Sequence, residues 1–188
     1  MNTTKKKTSR LTREEWLRLA LDSLAEQGTG ALKVQNLAEA LGVTRGSFYW
    51  HFTDRAEFIS ALLNYWHDRY TLPVPDLVAA YKGSGKEKFL CFLRTVFEND
   101  LTRFDLPIRS WAMQDPEVEE QVRRTDKFRL EFTKNLFIEM GFSNSQADLR
   151  AHSCVSYLIM GRQLLDVPTK KITKKQLHEI CAFFCSPC

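Results

Sequence analysis

Apolar residues recur three and four positions apart along this chain from Leu17 to Phe184, and they almost nowhere alternate with polar ones. That spacing lays a stripe down one face of an α-helix and does not fit a half-buried strand. The chain is therefore expected to be all-α. It has 188 residues, 44% of them hydrophobic and 27% charged, so its core needs neither disulfide nor metal to hold it.

The first pattern opens at Leu11-Thr12-Arg13-Glu14-Glu15-Trp16. Thr12 and Glu15 have capping-box spacing, and Leu11 with Trp16 has that of a hydrophobic staple. Leu17, Ala20, Leu21 and Leu24 follow as one stripe, and Gly28 is placed to end the helix at positive φ. A second, shorter stripe is Val34, Leu37, Ala38 and Leu41, closed by Gly42. Thr44 then stands as N-cap of a third helix, in which Phe48 and Phe52 face inward. Two short helices joined by a tight Gly-containing turn predict a helix-turn-helix over residues 12–52. Its second helix fits a DNA major groove, where N-terminal residues reach base edges. Its outward face carries Arg45, Gly46, Ser47, Tyr49, Trp50 and His51. Arg45 can read a guanine edge or clamp a phosphate, Tyr49 and His51 can donate to phosphate oxygens, and Gly46 lets the helix press close.

The run Gly42-Val43-Thr44-Arg45-Gly46-Ser47-Phe48-Tyr49-Trp50-His51-Phe52, with Asp54-Arg55 after it, resembles the helix-turn-helix signature of TetR-type transcriptional regulators. The resemblance covers about residues 12–60. It implies that Tyr49 and His51 hold phosphates and that Arg55, opening the next helix, contacts the DNA backbone. Two positions depart from the family pattern. Lys33 stands where Ser or Thr usually caps the second helix, so either the cap is missing or Lys33 contacts phosphate. Arg55 stands where Lys is common, and it still supplies charge. The resemblance also implies a homodimer that binds a palindromic double-stranded operator as a repressor and is released by a small-molecule effector.

The remaining sequence divides the chain into a head, residues 1–52, and a body, residues 53–188. A helix is expected to open at Asp54 and Glu57 and to run through Phe58, Ile59, Leu62 and Trp66 until Pro73 and Pro75 stop it. Residues 72–86 are a Pro- and Gly-rich connection with a short helix at 76–81, and further helices are expected at about 86–101, 104–114, 117–140, 144–165 and 173–185. The body is rich in aromatics, and a pocket between its helices would suit an apolar or aromatic effector. Phe104, Arg109, Trp111, Phe132 and Asn135 are the residues expected to line it. For dimerisation, one face of Val155, Ile159 and Arg162 and another of Leu177, Cys181 and Phe184 are expected to meet across a four-helix interface. A regulator of the same kind without an effector is the alternative, and its body would be filled solid.

Net charge is +4, with Lys5, Lys6, Lys7 and Arg10 forming a basic arm suited to a polyanion. No apolar run reaches the roughly 18 residues of a membrane span, and no apolar segment follows the basic start as in a secretory signal. The reading is therefore cytoplasmic with no membrane partner, and the five cysteines are read as reduced thiols. His178, Cys181, Cys185 and Cys188 offer soft donors for a metal or redox response as a lesser possibility. No phosphate-binding loop, nucleophile elbow or metalloprotease motif is present, so neither enzyme activity nor a cofactor nor a resident metal is expected.

Overall fold

A computed structural model of the chain describes residues 11–164 and 172–186, without the side chains of 162–164. The described residues are all-helical. They form two compact units that divide at Leu62 and Leu63, ten residues later than the expected boundary. The reason is that the first half of the fourth helix packs into the head.

The head holds α1 (Arg13–Gln27), α2 (Val34–Ala40), α3 (Arg45–Phe48) and the start of α4 (Arg55–Tyr70). The Thr12–Glu15 capping box is formed as the spacing predicts. Gly28 has φ 74° and ψ −171°, a backbone state open to glycine alone, and its N–H closes α1 on the Leu24 carbonyl at 3.0 Å. Lys33 begins α2 without a side-chain cap, so the cap the family usually has is missing. Gly42, at φ 66°, turns the chain between α2 and α3. A cluster of rings then fixes the unit: Phe48 lies 5.5 Å from Trp16, 4.9 Å from Phe52 and 5.3 Å from Phe58, all fully or almost fully buried.

The body holds the rest of α4, then α5 (Val74–Ala79), α6 (Gly85–Glu98), α7 (Asp105–Ala112), α8 (Pro116–Glu139), α9 (Asn144–Leu164) and α10 (Lys174–Cys185). Their starts are chemically marked. Ser84 with Glu87 and Thr173 with Gln176 form capping boxes. Asp115 accepts from the amides of Glu117 and Val118, with Pro116 at the first helical position. Gly85 sits so close to α8 that a β-carbon would meet Met140 at 2.8 Å. The core is built from Phe89, Phe92, Phe137, Leu158, Leu177 and Phe184 among others, and α8 and α9 share its longest seam. Among the described residues, no helix is long and apolar enough to cross a membrane.

Candidate functional site

In the head, α3 is only four residues long. The chain continues past Phe48 in turns rather than in regular helix, with both the His51 and Phe52 amides donating to the Phe48 carbonyl. Thr44 begins α3 in an extended conformation but makes no side-chain cap. The ring cluster beneath holds the turn in place and leaves one face outward. Lys33, Thr44, Arg45, Gly46 and Arg55 on that unit are exposed. Tyr49 is 55% and Trp50 74% exposed. Ser47 and His51 are half-buried. The His51 Nε2 is sealed from solvent without a hydrogen-bond partner.

The start of α4 is less open to an anion than the sequence implies. Asp54 accepts the Glu57 amide at 2.8 Å, and the Glu57 carboxylate accepts from the Thr53 amide and hydroxyl. Those bonds from Thr53 hold the Glu57 carboxyl below its usual pKa. Glu57 also pairs with Arg13 at 2.9 Å. Carboxylates thus already occupy this helix end.

In the body, a narrow cavity of about 40 Å³ lies among the helices. Of the five residues expected to line a pocket, Phe132 does so. Phe104 is buried against Tyr70, with ring centres 5.0 Å apart, and Trp111 is buried nearby in α7. Arg109 is held by Asp126 at 2.5 and 2.8 Å, and Asn135 is exposed. The polar residues of the wall, Tyr70, Thr71, Thr102, Arg129 and Thr133, escaped the sequence reading. A signal for three polar intruders existed, since Thr125, Arg129 and Thr133 interrupt the apolar stripe of α8 that Val118, Val122 and Leu136 define.

The faces expected to dimerise point inward. Val155 and Ile159 are buried and line the cavity. Leu177, Cys181 and Phe184 belong to the core of the body itself. The Arg162 side chain lies outside the described residues, as do Cys188 and the arm with Lys5, Lys6, Lys7 and Arg10. What α9 and α10 do expose is a different apolar set: Leu149, Tyr157, Met160 and Phe183.

Among the described residues, the C-terminal donors His178, Cys181 and Cys185 do not converge as a metal site. His178 is exposed while Cys181 is buried, because residues at i and i+3 straddle the edge of the core-facing stripe. Among the described residues no group of three or more potential ligands converges. Cys181 and Cys185 do lie with sulfurs 3.9 Å apart. Their contact lowers the pKa of Cys181 and raises that of Cys185.

A small helical head that shows a basic, aromatic face over a rigid ring core, followed by a helical body with a cavity, defines the class of two-unit helix-turn-helix proteins. Residues 17–62 match the family model for bacterial regulatory proteins of the tetR family. The transcriptional regulator TtgR of Pseudomonas putida is 34% identical over 65 residues, which are 35% of this chain and 31% of that protein. A tetracycline repressor of Escherichia coli, class A, is 44% identical over 46 residues, 24% of this chain and 21% of that one. These matches span about a third or less of the curated relatives' length. Over the whole chain, a TetR transcriptional regulator from Legionella pneumophila has the same fold, with TM-score 0.73 at 17% identity and coverage of 98% of this chain and 97% of that one.

Proposed function

We propose that the head binds double-stranded DNA and that the chain is a transcriptional regulator, acting as a repressor. The observation that carries this reading is the exposed row of Arg45, Tyr49 and Trp50 held on a unit whose core is otherwise closed. In this reading Arg45, Ser47 and Trp50 read sequence. Lys33, Thr44, Tyr49, His51 and Arg55 supply contacts to the backbone. Gly46 provides a sharp test. A β-carbon there would meet only the Thr44 hydroxyl, at an ordinary 3.6 Å, so nothing inside the fold demands glycine. Gly46→Ala is expected to stabilise the head by about 0.5–1 kcal/mol and yet weaken operator binding by at least about tenfold, because the added methyl holds the helix off the groove. Thermal melting and fluorescence anisotropy check the two halves; unchanged affinity would show that Gly46 does not approach DNA.

We further propose that two copies associate through α9 and α10, using the exposed Leu149, Tyr157, Met160 and Phe183 rather than the inward faces. Two heads on one palindrome then gain from effective concentration. Phe183, 74% exposed, is the probe: Phe183→Glu is expected to leave the helix content unchanged and to convert the dimer to a monomer in sedimentation. A dimer that survives the substitution would place the interface elsewhere.

The cavity favours the reading in which a small apolar effector controls DNA binding over the reading without one, which expects a solid body. α4 runs from Arg55 in the head to Tyr70 in the cavity wall, so one continuous helix links the two functions. An effector that binds one conformation better shifts the population, and a coupling of about 1–3 kcal/mol weakens operator binding several-fold to a hundredfold.

A further inference from the structure

We infer that the molecule this cavity holds is uncharged and apolar, with a single carbonyl-type acceptor set against Arg129 and Thr133. The inference rests on the reading of the cavity as an effector site and specifies what that effector must be. The walls are mainly aliphatic and aromatic, including Val74, Val96, Phe128 and Leu158. The exception is one face of α8. Thr133 is 1% exposed, lines the cavity, and its hydroxyl has no hydrogen-bond partner. It does not even make the bond back to the carbonyl one turn earlier that threonines in helices commonly make. A buried hydroxyl left unpaired is costly, and such groups are rare unless something completes them.

One turn away on the same face stands Arg129. Its Nε and Nη2 donate to the Thr71 hydroxyl at 3.0 and 2.8 Å, and its Nη1 donates to Asp105. A guanidinium carries five N–H donors, so donors remain for a ligand. Donors from Arg129 and Thr133, a turn apart on one helix face, match the two lone pairs of one carbonyl oxygen.

Charge decides between a carbonyl and a carboxylate. Arg129 already has its counter-charge in the wholly buried Asp105, and Arg109 has its own in Asp126. A carboxylate ligand would leave the Arg129–Asp105 pair, whose side chains are 12% and 0% exposed, with a net negative excess that a dry wall cannot solvate. A cationic ligand meets the same objection, since Asp105 is not part of the cavity wall. A ketone or ester leaves the charge balance unchanged.

The test is calorimetric titration of the full chain with three probes of nearly equal shape: acetophenone, benzoate and ethylbenzene. Acetophenone is expected to bind about ten times more tightly than either of the others. Thr133→Val, which keeps the shape and removes the hydroxyl, is expected to weaken acetophenone about fivefold while leaving ethylbenzene within about twofold. The same variant without ligand is expected to melt about 2–4 °C higher, because it removes an unsatisfied buried group, so lost affinity cannot be ascribed to a damaged fold. If ethylbenzene binds as tightly as acetophenone, or benzoate binds best, the carbonyl assignment is wrong while the effector cavity stands. If none of the three binds the wild-type chain at millimolar concentration, the cavity is not an effector site and both ideas fall.

Discussion

Phe48→Ala is expected to unfold the head and abolish DNA binding while the body keeps its structure. Phe48 is wholly buried and touches four rings, those of Trp16, Tyr49, Phe52 and Phe58. Truncating a buried phenylalanine costs about 3–5 kcal/mol, and a unit of this size has little to spare, since small domains bury a smaller share of their surface. The site depends on the same side chain in a second way. Phe48 also supplies the carbonyl on which the His51 and Phe52 amides turn, so losing its anchor releases the backbone that presents Tyr49 and Trp50. Circular dichroism should show loss of part of the helix signal with a later transition remaining for the body. A single wild-type-like transition with operator affinity intact would mean that the ring cluster does not hold the site.

Asp105→Ala is expected to destabilise the body by about 3–5 kcal/mol, because it leaves Arg129 charged and buried without its carboxylate. Arg129 also stacks on the buried Trp66 at 5.3 Å, so it has no easy route to water. Replacing both residues by apolar ones, Asp105→Leu with Arg129→Met, is expected to cost less than Asp105→Ala alone, a coupling that a double-mutant cycle measures. The pH dependence has a definite sign. Burial pushes the Asp105 carboxyl above its usual pKa, against the pull of Arg129 and Arg109. A carboxyl raised in the folded state contributes stability at low pH that is lost as pH rises through the folded value. Wild type should therefore gain stability relative to Asp105→Asn as pH is lowered through the folded pKa of Asp105, as read by urea unfolding. A gap that widens in the opposite direction would show that the ion pair outweighs burial.

Much of this architecture is legible in the sequence because helix starts carry their own chemistry. The Thr12–Glu15 box, Asp115 before Pro116 and Gly28 after α1 each mark a boundary within a residue or two of where it falls. The length of α3 was not legible. Its end is set by tertiary packing, as the chain tightens after Phe48 to bring Phe52 back to 4.9 Å from it. Nor was the inward face of α9. That helix has apolar residues all round it, with Ala151, Cys154 and Leu158 buried and Leu149, Tyr157 and Met160 exposed, so periodicity alone cannot say which side meets the core. Two residues of the cavity's polar wall, Arg129 and Thr133, lay in plain view on an otherwise apolar stripe. A polar residue at a core position reads as a fault in packing until the space beside it is known.

The central claim, that the exposed face of the head binds DNA specifically, is tested most directly by selecting DNA from a random pool with the full chain refolded free of ligand and repeating the binding in raised salt. The account predicts enrichment of a palindromic sequence whose affinity falls steeply as salt rises, since released counterions accompany each phosphate contact. Failure to enrich any sequence, or binding that salt does not weaken, would contradict it.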